Sequence, residues 1–241
     1  LLLSLGQCVL SFLVLRLRGN PSAAERAEWL NRSCKMVLRR LGFGVQVVGP
    51  APRSGLLASN HLSYLDILIY GATAPCVFVS KLEVRSWPML GLLASLGGTV
   101  FVDRRSAISA ANAAGRIQEL LEAGVLVLIF PEGTSSDGSG VLRFYPPLFE
   151  PAVRAAVPVT AAAIGYRAEP PAEEADLCYY GDVSFAPHLL RTLRLSAILA
   201  TVRFAPSGRL FADRKEAAAA TRAGVVELRC RSGKIDAAVG P

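Results

Sequence analysis

Apolar and polar positions change rhythm three times along the chain. Residues Leu1 to Leu15 carry no charge and are mostly Leu, Val and Phe, and Arg16 and Arg18 close the run. As a helix that run reaches about 22 Å, short of the ~30 Å hydrocarbon core of a bilayer. Its charges follow the apolar stretch, whereas a signal peptide carries them in front. The pattern predicts an embedded or half-inserted helix, with an ordinary buried helix as the alternative. Asn20-Pro21 then predicts a helix start, with Asn as cap and Pro in the first helical position. Leu30, Cys34, Val37, Leu38 and Leu41 recur at helical spacing beyond it, and Gly42 ends the pattern. Arg26, Arg32, Lys35, Arg39 and Arg40 belong to the same helix. A basic amphipathic helix behind an apolar one suits an anionic bilayer surface, apolar face down and cations at the headgroups. A charged face solvated above a protein core is the alternative.

From Phe43 onward short β-branched or apolar runs alternate with helical patterns. Strands are predicted at Val45 to Val48, Leu56 to Ser59, Cys76 to Val79, Thr99 to Val102, Val125 to Phe130, Val157 to Ile164 and Leu195 to Phe204. Helices are predicted near Leu62 to Gly71, Arg105 to Ala123, Leu148 to Ala155 and Asp213 to Arg231. Such alternation means an α/β domain with a mixed, largely parallel sheet flanked by helices. Residues 1–42 then form a membrane-associated helix pair, and 43–241 the main domain. The acidic, Pro-rich segment Ala168 to Asp176 reads as a surface loop.

Composition narrows the function classes. Among 241 residues, 52% are apolar and 19% charged, too greasy for a disordered chain. No run of 18 uncharged apolar residues exists, which excludes a polytopic membrane protein. The net charge of +7 suits anionic lipid, a phosphorylated substrate or nucleic acid. Nucleic acid is set aside, because no zinc-finger or RNA-recognition motif is present and the aromatic residues are scattered. Cys8, Cys34, Cys76, Cys178 and Cys230 are widely spaced without a C-x-x-C pair, so they read as buried free thiols. Only His61 and His188 can supply an imidazole.

Function in open α/β sheets gathers at the C-terminal ends of strands, and three ends here are polar. In Ser59 to Asp66, His61 follows a strand directly and Asp66 lies five residues on. On one continuous helix the pair would stand about 140° apart. With His61 in the turn and Asp66 in the first helical turn they meet, and Asp66 then fixes the ring tautomer and leaves Nε2 as a base. Ser63 and Asp66 also form a capping pattern, so a purely structural cap is the competing reading. At the second end, Gly98 to Arg105, arginines are placed to grip phosphate or carboxylate, or simply to pair with Asp103. At the third, an apolar strand runs into Pro131, Glu132, Gly133 and Thr134, a substrate cradle or a plain turn. No phosphate loop, nucleophile elbow or zinc-protease motif occurs.

The order of these blocks resembles the glycerophospholipid acyltransferase family, whose best-known members are the 1-acylglycerol-3-phosphate O-acyltransferases. The matching blocks are Asn60-His61-x4-Asp66, Gly98-x2-Phe101-x2-Arg104, Phe130-Pro131-Glu132-Gly133-Thr134 and Val157-Pro158-Val159. Lys81-x-Glu83, Pro88 and Gly91 resemble the stretch before the second block. The likeness spans about Phe43 to Phe204. It implies that His61 takes the proton of an acceptor hydroxyl, that Asp66 supports it, and that Gly98, Phe101, Arg104, Glu132, Gly133 and Thr134 surround the acceptor. It implies an acyl thioester donor, acyl-CoA or acyl-carrier protein, with no metal, bound cofactor or covalent intermediate. The acceptor it implies first is the lysophospholipid 1-acylglycerol-3-phosphate, at the cytoplasmic face of the cell membrane. Two departures stand out. Ser135 sits where many members have Arg, and Leu142-Arg143-Phe144-Tyr145 lacks a Lys often found there. The Ser-Ser-Asp-Gly run and Gly181-Asp182 to His188 look more like a bacterial branch that includes lyso-ornithine lipid acyltransferases. A non-catalytic lipid-binding protein on the same scaffold is the reading from another class.

Overall fold

A computed structural model describes residues 2–87, 90–103, 105–195 and 197–231. The strands are β1 (Gly44–Val48), β2 (Leu56–Ser59), β3 (Val77–Lys81), β4 (Val100–Val102), β5 (Val127–Ile129), β6 (Val159–Arg167) and β7 (Leu199–Phe204). They form one sheet in the order β1-β7-β6-β2-β5-β3-β4. All pairings are parallel except β6 with β7. The composition of each strand explains its place. Leu-Leu-Ala-Ser in β2 and Val-Leu-Ile in β5 have no polar face, and every one of their residues is buried. In β7, Ala200, Val202 and Phe204 are buried while their neighbours are half exposed, so one face meets a core and the other meets solvent.

The helices are α1 (Leu2–Leu17), α2 (Ala23–Leu41), α3 (Leu65–Thr73), α4 (Leu90–Leu96), α5 (Ala107–Glu122), α6 (Glu150–Arg154), α7 (Phe185–Thr192) and α8 (Arg214–Cys230). Val37, Ile69, Leu57, Ile164 and Val202 join α2 and α3 to one sheet face. Ile117, Leu121, Ala217, Val225 and Val127 join α5 and α8 to the other. The result is three layers with the sheet in the middle, as the alternating pattern predicts.

The N-terminal pair is built into this core. Trp29 of α2 is buried and donates its indole N–H to Ser11 Oγ of α1 at 2.9 Å. Phe12 meets the same ring edge-on at 5.0 Å. Gly71 lets α3 come close to α2, since a Cβ there would lie 2.7 Å from Cys34 Sγ. Asn31 seals that approach by donating to the Gly71 carbonyl at 2.8 Å. The far side of α1 stays apolar and open: Leu3 is 88% exposed, and Leu10, Leu13, Val14 and Leu17 are exposed with it. Among the described residues no helix is long and apolar enough to cross a membrane.

Several sequence expectations need correction. The cap of α2 is Ser22, not Asn20: Ser22 Oγ accepts from Glu25 N at 3.2 Å and Glu25 accepts from Ser22 N at 2.8 Å. That reciprocal box satisfies two orphan donors, which Asn20 could not reach from two residues further out. Helices α4 and α7 were not expected. The first is short, carries Gly91 in its first turn and stops before Gly97, and the second carries Pro187 in its first turn. The segment Ala168 to Asp176 is not wholly a surface loop, because Glu174 turns inward to Arg229. The cysteines match expectation: all five are free, and all but Cys230 are buried. Burial pushes the Cys34 and Cys178 thiols up to about 12.

Candidate active site

The site grows from the ends of β2 and β5, neighbours at the centre of the sheet. Just past β2, the Asn60 side chain pairs both ways with the Ile164 backbone, donating to its carbonyl (3.1 Å) and accepting from its N–H (2.9 Å). A buried amide satisfied by a neighbouring strand pins the turn, so His61 leaves the sheet at a fixed point. Two further loops hold that turn. Ser136 N donates to the His61 carbonyl at 2.9 Å, and Tyr179 N donates to the Leu62 carbonyl at 2.8 Å.

Helix α3 begins at Leu65, which puts His61 in the turn and Asp66 in the first helical turn. Asp66 is fully buried. Its Oδ2 accepts from His61 Nδ1 (2.7 Å), Leu62 N (2.7 Å) and Ser63 N (3.1 Å). Its Oδ1 accepts from the Tyr166 hydroxyl at 2.5 Å. Four donors on one carboxylate offset the cost of burying its charge. They also fix the imidazole proton on Nδ1 and leave Nε2 with the free lone pair. The Ser63 half of the capping pattern fails: its Oγ has no hydrogen-bond partner among the described residues, and the helix has no side-chain cap. Asp66 does serve the turn's amides, so the structural and chemical readings of that residue both hold. The His61 ring lies flat on Phe130, centroids 4.1 Å apart, which sets its plane.

Glu132, just past β5, is 3% exposed and does not line the cavity described below. Its oxygens accept from His61 N (3.4 Å) and Leu142 N (3.2 Å), so it braces the histidine turn from beneath. Burial pushes its carboxyl up to about 8, against the opposing pull of those two N–H groups. The folded chain therefore keeps this proton to higher pH than the unfolded chain, whose Glu titrates near ~4.3. The stabilisation is full below that lower value and is lost as pH rises through about 8. The melting temperature of wild type is expected to fall relative to that of Glu132→Gln as pH rises from about 5 to about 9. Thermal melts of both proteins across that range check it, and a constant offset between them would refute it.

Gly133 and Thr134 line a largely apolar cavity of about 340 Å³, together with His61 and Phe130. Its other walls include Trp29, Leu30, Cys34 and Val37 from α2, Cys8 from α1 and Leu93 from α4. Of the second block, Gly98 is in the left-handed region (φ 82°) at the turn into β4, with Arg26 of α2 nearest its missing Cβ. Phe101 is half-buried on edge strand β4, opposite Ser80. Neither lines the cavity; Thr99 between them does, as do Ser80 and Lys81. Arg104 lies outside the described residues. Ser135 donates to the Tyr179 carbonyl and so ties two loops together. Trp29 and Tyr166 were not singled out from sequence, because they meet the site only through the fold; Lys81 belongs to the stretch named before the second block. His188 is buried and meets the Tyr64 hydroxyl at 3.0 Å; burial holds its pKa down. Among the described residues no group of three His, Cys, Asp or Glu could hold a metal ion.

Comparison with known proteins gives concordant results. The acyltransferase family profile matches residues 44–165. A lyso-ornithine lipid O-acyltransferase of Pseudomonas aeruginosa is 41% identical over 167 residues, covering 69% of this chain and 62% of that protein. Its counterpart in Rhizobium meliloti is 36% identical, over 73% of this chain and 66% of that protein. A 1-acyl-sn-glycerol-3-phosphate acyltransferase of Neisseria meningitidis is 36% identical, over 70% and 67%. The chain thus spans between 62% and 67% of the length of these curated relatives. In fold it is similar to the crystal structure of the 1-acyl-sn-glycerophosphate acyltransferase PlsC from Thermotoga maritima, with a TM-score of 0.67 over 96% of this chain and 90% of that one, at 20% identity.

Proposed function

The chain belongs to the acyltransferase family, and on that footing we propose that it moves a fatty acyl group from an acyl thioester to the free hydroxyl of a lysolipid. The observation that carries this reading is the His61–Asp66 pair, closed at 2.7 Å with His61 at the wall of an apolar cavity and Asp66 buried behind it. Nε2 of His61 takes the acceptor's hydroxyl proton as the oxygen attacks the thioester carbonyl. A new C–O bond forms, the C–S bond breaks, and the imidazolium returns its proton to the departing thiolate. Asp66 keeps the tautomer and stabilises the imidazolium in between.

The cavity suits an acyl chain, because each buried methylene contributes roughly 0.8 kcal/mol. Its walls reach α1 and α2, whose outer side exposes Leu10, Leu13 and Leu17 beside Arg16 and Arg18. Residues 1–42 therefore act as the part that rests on an anionic membrane surface, and 43–241 as the acyltransferase domain. Acyl-CoA or acyl-carrier protein would approach from the cytoplasmic face of the cell membrane. Gly133 and Thr134 wall the acceptor side, shaped from beneath by Glu132. Gly98 and Phe101 stand at the sheet edge, outside the cavity wall.

On the acceptor, lyso-ornithine lipid is set ahead of 1-acylglycerol-3-phosphate. A phosphate monoester asks for several cations. Among the described residues Lys81 is the one Lys or Arg lining the cavity, and Ser135 is neutral. An ornithine headgroup carries a carboxylate and an ammonium and needs less. Two relatives named for lyso-ornithine lipid point the same way. The relative named for 1-acyl-sn-glycerol-3-phosphate sustains the second reading. The test offers purified protein in detergent an acyl thioester and a panel of both lysolipids. Preferred acylation of lyso-ornithine lipid supports the first acceptor, preferred acylation of 1-acylglycerol-3-phosphate the second. No turnover with any lysolipid would leave a lipid-binding protein without catalysis.

A further inference from the structure

Asp66 has two oxygens, and they are held in different ways. Oδ2 carries the imidazole and two backbone amides, all from the adjacent turn. Oδ1 is gripped from β6, a hundred residues away, by the hydroxyl of Tyr166 at 2.5 Å. We propose that Tyr166 is a positioning residue for acyl transfer: its hydroxyl clamps Asp66 so that Oδ2 stays on His61, and by sharing the carboxylate's charge it sets how basic Nε2 is. The inference rests on the reading of His61 as the base.

Tyr166 is 1% exposed, so its hydroxyl has no water to turn to. Burial and the Asp66 charge push its phenol well up, which keeps it a neutral O–H donor throughout the working range. Its backbone is anchored as well. Tyr166 N donates to Glu174 at 2.6 Å, and Arg229 holds the same carboxylate at 3.1 and 3.2 Å. The other titratable groups near the pair are Tyr70, Cys178, Glu132, Glu174 and Arg229. Tyr70 turns its hydroxyl to Ser59 at 2.5 Å, and Glu132 faces the amides of His61 and Leu142. Tyr166 is thus the side chain, besides His61 itself, that donates to Asp66 among the described hydrogen bonds.

Without the phenol O–H, the Asp66 charge is less shared and holds a proton on the imidazole more strongly. A base must be unprotonated to act, so activity would fail at a higher pH as pH is lowered. In Tyr166→Phe the acid limb of the kcat/KM profile is expected to move up by about half a pH unit to one unit, with kcat down roughly tenfold and both KM values within about twofold. A residue that merely fills space would lower the melting temperature and leave the acid limb in place. In an Asp66→Asn background the same change should add little, because the two act as a unit. Replacing Tyr166 by a difluorotyrosine, a stronger donor of the same shape, should move the limb down instead, and it keeps the test open if the Phe variant folds poorly. An acid limb that superimposes on wild type in the folded Phe or difluorotyrosine protein overturns the inference and leaves the acyltransferase reading standing. Wild type that turns over no thioester with any lysolipid overturns both.

Discussion

Replacing His61 by alanine is expected to cut acyl transfer about a thousandfold or more, within the range a positioned base contributes. The fold should survive, because the ring is 20% exposed and Asp66 keeps three other donors once it is gone. The melting temperature is therefore expected within a few degrees of wild type, and both KM values should change little, since the cavity walls are intact. Asp66→Asn should be less severe in rate, about a hundredfold, yet more severe in stability. Its amide would turn an N–H toward donors that now meet a carboxylate. Steady-state kinetics and thermal melts of both variants separate these outcomes. Retained turnover in folded His61→Ala would show that the base lies elsewhere.

The largest stability effect is expected at Arg229. This guanidinium is 1% exposed on α8, yet it donates to the Gly138 carbonyl (2.8 Å), the Ile164 carbonyl (3.0 Å) and both oxygens of Glu174. It therefore joins the last helix to the loop after β5 and to the strand that carries Tyr166. Arg229→Met takes the cation from a mostly buried carboxylate and this donor from the Gly138 carbonyl, while Asn60 still donates to the Ile164 carbonyl. Breaking a buried pair from one side costs about 3–5 kcal/mol. Urea unfolding followed by tryptophan fluorescence should show a loss of that size. A loss under about 1 kcal/mol would mean that the site's frame does not depend on this residue.

How far the sequence led differs from element to element, for physical reasons. Buried strands such as β2 and β5 were legible because a run of apolar residues bounded by Ser59 or Pro131 has few other homes. The His61–Asp66 meeting was legible because it is local: a turn and the first helical turn suffice. The start of α2 was misplaced by two residues because Asn20-Pro21 and Ser22 both carry cap chemistry, and the reciprocal reach of Glu25 decided between them. Glu174 was read as surface because its neighbours are acidic and Pro-rich; only the tertiary fold brings Arg229 to it. Tyr166 gave no signal at all, since a Tyr in a strand is ordinary and its partner lies a hundred residues away on α3. Glu132 was expected against substrate, whereas the structure turns it onto backbone amides.

In the proposed reaction His61 acts on the acceptor's hydroxyl and the acyl group passes to it directly. Rapid mixing of wild type with an acyl thioester, following free thiol and the intact mass of the protein, tests this most directly. No thiol burst is expected without lysolipid, and one thiol per diacylated product with it. A stoichiometric burst without acceptor, with an acyl adduct on the protein, would contradict direct transfer.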